Sequence, residues 1–168
     1  MNTVFRKLLG VSLLVICPAL GAQAQSKPTQ ADAPKIVGSW KLNLSKTTFA
    51  GQPLRSRLLD WLWDGETLIH VNRSIDSKGE KTVANFSAKF DGKDYPVFEN
   101  GGDRPLRLVR MKMADPYTIE ITNRKDGKDL TTFRHTISKD GKTDTITQVG
   151  STVDGAGSGT EKLVYDRQ

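Results

Sequence analysis

Along most of this chain apolar and polar residues alternate with a period of two, and turn residues cut the alternation at short intervals. The clearest stretch is 83–90, where Ala84, Phe86, Ala88 and Phe90 face one way and Val83, Asn85, Ser87 and Lys89 the other. A period of two marks a half-buried β-strand. Comparable runs cover 36–42, 58–63, 68–75, 95–98, 106–113, 117–123, 130–138, 144–153 and 160–166. In the run 68–75, Ile69, Val71 and Ile75 share one face, with Leu68, His70 and Asn72 on the other. Residues 45–57 break the period and carry Gly51 and Pro53, and Ser45 is placed to cap one helical turn through Lys46, Thr47, Thr48 and Phe49.

Five Asp-Gly pairs punctuate the strands, at Asp64-Gly65, Asp91-Gly92, Asp126-Gly127, Asp140-Gly141 and Asp154-Gly155. Asp-Gly suits a two-residue hairpin because both central residues of a type I′ turn need positive φ. Strands and turns together predict an all-β chain, an antiparallel up-and-down barrel of about 8–10 strands. Thr is dense in the last third, but only Thr143-x-Thr145-x-Thr147 forms a regular row, which reads as a solvated outer face. The loop Gly155-Ala156-Gly157-Ser158-Gly159 precedes no helix and so is hairpin slack, not a phosphate cradle.

The N-terminus follows a different pattern. Arg6 and Lys7 precede an apolar run from Leu8 to Leu20, and Ala22-Gln23-Ala24 then supplies a small-residue cleavage site. Residues 1–24 are therefore expected to be a secretory signal peptide, 25–35 a polar, proline-bearing leader, and 36–168 the barrel domain. An uncleaved anchor is the competing reading; lipidation at Cys17 is disfavoured by Ile16 before it. Cys17 is the sole cysteine, so the exported chain has no disulfide. Loss of Arg6 and Lys7 lowers the formal net charge from +6 to +4, spread without like-charge blocks, which argues against nucleic-acid binding. No span would remain in a membrane, and a monomer is expected.

Gly38-Ser39-Trp40-Lys41-Leu42 at the start of a barrel resembles the Gly-x-Trp signature of the lipocalin and fatty-acid-binding protein superfamily. The segments Gly38–Asn43, Phe90–Val97, Ser138–Thr143 and Val164–Gln168 resemble a group of secreted bacterial lipocalin-like proteins of unassigned function. The resemblance implies that Trp40, with Gly38 beside it, plugs one end of the barrel. It also marks a departure. Intracellular fatty-acid binders hold the ligand carboxylate partly with an Arg-x-Tyr pair on the last strand; here the Tyr is Tyr165, but the Arg position is Leu163. A headgroup would need a substitute, with Arg134 or Arg110 as candidates. The stretch after Asn43 is also too short for the two-helix lid of those proteins.

Catalytic patterns are missing. His70 and His135 are far apart, no His-x-His or His-x-x-x-His spacing occurs, and Asp76-Ser77-Lys78-Gly79-Glu80 places lysine where calcium needs oxygen. No Gly-x-Ser-x-Gly elbow is present. No metal, no cofactor and no enzymatic activity are expected. Trp61 and Trp63 share a face with Leu59, and Met111 and Met113 with Val109, but the opposite face of 106–113 is also partly apolar, so the inward sides of 58–63 and 106–113 stay open. His135 shares a face with Phe133 and Ile137. The leading expectation is an extracytoplasmic, periplasmic or secreted barrel binding a small, mainly apolar molecule non-covalently. Its candidate lining is Trp61, Trp63, Phe86, Phe90, Met111, Phe133, His135 and Tyr165. The alternative is a packed barrel acting through its outside, as an envelope interaction or inhibitor module.

Overall fold

The computed structural model describes residues 33–149 and 161–168. The expected signal peptide, the leader up to residue 32, and Asp154-Gly155 with its glycine loop lie outside the described residues. Ten strands follow one another: β1 (Gly38–Leu42), β2 (Leu54–Trp63), β3 (Leu68–Asp76), β4 (Lys81–Ala88), β5 (Asp94–Glu99), β6 (Arg107–Asp115), β7 (Thr118–Lys125), β8 (Lys128–Ile137), β9 (Thr143–Val149) and β10 (Lys162–Arg167). Each pairs with its chain neighbours, and β10 pairs antiparallel with β1, so the sheet closes as the alternation predicts. Closure removes the unpaired edges that an open sheet would expose.

Two local expectations need correction. β2 begins at Leu54, not Leu58, because residues 54–57 pair with β3 despite their irregular pattern; a register shift between Leu54 and Ser56 absorbs the irregularity. The helical turn is a single 3-10 turn over Leu44–Lys46, capped by Asn43 and not by Ser45. The Asn43 side chain accepts from the Lys46 backbone N–H at 3.2 Å and from Ser45 Oγ at 2.8 Å.

The Asp-Gly pairs do not all work alike. Of the four described pairs, only Asp126-Gly127 has both residues at positive φ, 50° and 76°, in a two-residue loop between the paired Lys125 and Lys128. Elsewhere the aspartate acts through its side chain. Asp64 Oδ1 accepts from the N–H groups of Glu66 and Thr67 at 2.9 and 2.7 Å, Asp91 Oδ1 from Lys93 at 3.0 Å, and Asp140 Oδ1 from Lys142 at 3.1 Å. These carboxylates imitate a backbone turn, which the Asp-Gly pair permits as readily as type I′.

One end of the barrel is packed shut. Trp40 is fully buried and donates its indole N–H to the Ile36 carbonyl at 2.6 Å. The Arg167 guanidinium lies over its ring, 4.2 Å from the centroid, and donates to the carbonyls of Val37, Lys35 and Gly141 at 2.7, 2.7 and 2.5 Å. Gly38 sits at φ 132°, and any Cβ there would run into the Arg167 guanidinium. The glycine of Gly-x-Trp therefore makes room for the cation that covers the tryptophan. Leu68, Ala88, Met111, Ile119 and Ile137, all buried, complete this end.

A polar-lined cavity above the plug

Beyond the packed end the interior opens into a cavity of about 240 Å³. Every strand from β2 to β10 contributes to its wall. β2 supplies Arg57, Leu59 and Trp61; β3 His70 and Asn72; β4 Ala84 and Phe86; β5 Val97; β6 Arg107 and Val109. β7 adds Ile121 and Asn123, β8 Phe133 and His135, β9 Ile146, and β10 Leu163 and Tyr165, with Glu161 just before it. The inward faces of β2 and β6, open from sequence, are thus those of Trp61 and Val109.

Of the eight expected lining residues, Trp61, Phe86, Phe133, His135 and Tyr165 meet at this cavity. Trp63, Phe90 and Met111 do not line it. They have the inward parity but stand nearer the plug: Met111 is fully buried, while Trp63 and Phe90 are partly buried, packed on the core with ring centroids 6.2 Å apart. Parity gives the side of a strand and says nothing of height along the barrel. Met113, of the same parity as Val109, is exposed at the end of its strand.

The two arginines expected as headgroup substitutes face outward. Arg134 pairs with Glu120 at 2.6 Å and Arg110 with Asp94 at 3.0 Å. The inward cations are Arg57 and Arg107, neither anticipated. Arg57 was hidden by the late start assigned to β2; once that strand reaches Leu54, residues 57, 59 and 61 share a face. Its Nη1 donates to the Tyr165 hydroxyl at 3.4 Å, so the guanidinium absent at Leu163 arrives from β2 instead of β10. Arg107 Nε donates to Asn123 Oδ1 at 2.7 Å, and burial pulls its pKa below the usual guanidinium value.

The floor of the cavity is aromatic and titratable. Trp61 stacks on His70, with centroids 3.8 Å apart and planes 23° from parallel, and meets His135 edge-on at 5.5 Å and Phe86 edge-on at 6.0 Å. Burial drives the His70 pKa down to about 3, helped by the neighbouring His135 and Arg57; a hydrogen bond to the Asp60 backbone opposes this and is outweighed. His135 Nδ1 lies 2.9 Å from Oδ2 of Asp144, whose side chain is wholly buried. A carboxylate can only accept, so the imidazole Nδ1–H donates. Asp144 Oδ1, His70 Nδ1, Arg57 Nε, Asn72 Oδ1 and Trp61 Nε1 are buried with no hydrogen-bond partner among the described residues. Buried polar atoms are ordinarily paired; four of these five belong to residues that line the one cavity, while Trp63 Nε1 and Arg110 Nε are also unpaired away from it.

The His135–Asp144 pair had a signal in the sequence. A hairpin turning at Asp140-Gly141 sets Ile137 opposite Asp144 and His135 opposite Ile146, which puts His135 and Asp144 on the same face. Among the described residues no group of three His, Cys, Asp or Glu is arranged to hold a metal ion.

Tyr165 reports on the dryness of this site. Burial pushes its hydroxyl up to about 12 from 10, with Arg57 pulling the other way. The folded state keeps the proton that the unfolded chain releases, so stability is full below pH 10 and falls as pH rises towards 12. The loss should reach about 2–3 kcal/mol. Urea titrations of Tyr165→Phe against the native chain at pH 9 and 11 check this; equal alkaline losses in both proteins would contradict it.

Among solved structures, the chain is similar to a Schistosoma mansoni fatty acid binding protein in complex with arachidonic acid. The TM-score is 0.54 with 13% identity, over 80% of this chain and 96% of that one. The two share a fold, a closed antiparallel up-and-down barrel. No protein-family model and no curated protein matches the sequence. At this identity the likeness carries the architecture and leaves the ligand to the residues of the cavity.

Proposed function

We propose that this barrel binds one small, mainly apolar molecule non-covalently in its interior, and that it works outside the cytoplasm as a periplasmic or secreted protein. The observation that carries the first part is the cavity itself, enclosed by nine strands where a purely structural barrel would be filled. Its size lies just below the usual range for ligand pockets, about 300–1,000 Å³, and its mixture of apolar wall and few convergent polar groups is typical of them. A fatty acid binding protein with this fold is further support. Arg57 and Tyr165 supply a polar anchor, so the ligand is amphipathic, with its apolar body against Leu59, Phe86, Val109 and Phe133.

The extracytoplasmic part rests on the n-region, apolar run and Ala-x-Ala site of residues 1–24. Mass spectrometry of the protein recovered from culture fractions should give an N-terminus at Gln25 or a near neighbour.

The exposed large apolar residues Leu44, Leu62, Val83, Leu106 and Met113 belong to different elements or opposite strand ends and give the outside-acting alternative little support. Native mass spectrometry after incubation with mixed lipid extract is expected to show one retained small molecule, with quenching of Trp61 emission. Failure to retain any compound, with emission unchanged, would remove the binding reading.

A further inference from the structure

We propose that the cavity is a site for a compact, planar ligand bearing a weakly acidic ring hydroxyl, a phenol, which gives its proton to His135 and is held as the phenolate. The inference rests on the reading that the barrel holds a small ligand, and deepens it by naming the chemistry.

Three observations converge. The space of about 240 Å³ has room for a substituted ring. The floor offers ring surfaces: the Trp61–His70 stack with Phe86 beside both rings. The third is the arrangement of charge. Asp144 is a fully buried carboxylate whose one hydrogen-bond partner among the described residues is His135 Nδ1, with none at Oδ1. The Arg167 charge acts on Asp144 but gives its hydrogen bonds to backbone carbonyls, and a buried carboxylate short of hydrogen-bonded partners is costly. With Nδ1–H committed to Asp144, the neutral ring carries its lone pair on Nε2, on the opposite side of the ring. A proton delivered there makes an imidazolium against Asp144 and completes the buried ion pair.

In this step the ligand O–H bond breaks and an N–H bond forms on His135 Nε2. The electron pair stays on the phenolic oxygen, and no further reactant is needed. The new anion faces Arg57, whose Nε is unpaired and whose charge already acts on both His70 and Tyr165. The other charged or titratable groups on the cavity are few. Arg107 on β6 adds a second cation. Glu161, next to β10, has its carboxyl pushed up by burial. His70 on β3 is held neutral, and the Tyr165 hydroxyl on β10 keeps its proton. The site therefore presents two cations and one proton acceptor to a ligand that is neutral in water and anionic once bound.

4-Nitrophenol is a direct probe, because its phenolate has its own absorption band. Titrating the protein into the probe below the pH at which the free probe ionises should raise that band with a stoichiometry of one. The midpoint of the bound probe should fall by about one pH unit or more, a tenfold change in its ionisation ratio. 4-Nitroanisole, of nearly the same shape but with no proton to give, should bind about tenfold more weakly. Asp144→Asn and His135→Gln should each abolish the band while 4-nitroanisole binding survives. Binding of 4-nitrophenol without the band, or with the same affinity as 4-nitroanisole, overturns the proposal even if neither variant folds. Retention of fatty acids with no 4-nitrophenol binding overturns it while leaving the broader binding reading intact; retention of nothing removes both.

Discussion

Lowering the pH from 6.5 to about 4.5 is expected to remove about 2–3 kcal/mol of folding stability through one side chain, His70. Burial holds its folded-state pKa near 3, against 6.5 for an ordinary histidine. Above 6.5 the ring is neutral in both states and the contribution is complete. As the pH falls, the unfolded chain takes up a proton that the folded chain refuses, and each unit costs about 1.4 kcal/mol. The total approaches 4–5 kcal/mol by pH 3, a large part of the 5–15 kcal/mol typical of a domain. The surface aspartates held below their usual value, such as Asp64, Asp76, Asp91 and Asp140, lose their contribution only below about 3.8, outside this window. Glu161 acts in the opposite sense: its carboxyl is raised by burial, so acid relieves it. The difference between the native chain and His70→Phe isolates the histidine, since phenylalanine keeps a ring against Trp61. Urea midpoints of the native chain should slope downward between pH 6.5 and 4.5, and those of the variant should be flatter. Parallel slopes would show that His70 is not the group responsible.

The same residue shows where the sequence speaks and where it is silent. Strand β4 is legible because its two faces differ in kind: Ala84, Phe86 and Ala88 are buried, while Val83 and Ser87 are exposed. β3 is misleading because its more apolar face is the outer one. Leu68 and His70 prove to be inside, and Ile69, Val71 and Ile75 only half-buried outside. Alternation alone would turn Ile69, Val71 and Ile75 inward; the register with β2 and β4 decides otherwise, pairing His70 with Trp61 and Phe86.

Arg57 and Tyr165 lie 108 positions apart and meet because β1 separates β2 from β10 in the closed sheet. Closure is a global property that leaves no mark near either residue. The candidate lining divides for a related reason. Trp61 and Trp63 have the same parity and character, yet one lies on the cavity floor and the other packs against Phe90 towards the plug. Height along the axis depends on the tilt and stagger that close the barrel, which a single strand does not encode. Fold class, turn positions and most inward faces could be read from residue order; the charged half of the site could not.

Trp40→Ala is expected to be the most damaging single substitution at the packed end, costing about 3–5 kcal/mol from the lost burial and cavity alone. Further losses follow from the geometry. The Ile36 carbonyl loses the indole N–H, and the Arg167 guanidinium loses the ring beneath it, a contact of about 0.5–2 kcal/mol. Arg167 also ties the carbonyls of Lys35, Val37 and Gly141 together, so a displaced guanidinium loosens the approach to β1 and the β8–β9 turn at once. The position concentrates these effects. β1 meets β10 through three paired residues, and Trp40 opposite Arg167 is one of them, so the substitution strikes the seam that makes the sheet a barrel. Trp40→Phe separates the causes. It keeps an aromatic face under Arg167 and most of the buried area but leaves the Ile36 carbonyl unpaired, and should cost about 1–3 kcal/mol. Urea unfolding of both variants checks the order. If Trp40→Ala unfolds no more easily than Trp40→Phe, the indole ring is not what holds the seam, and the role passes to the Arg167 hydrogen bonds.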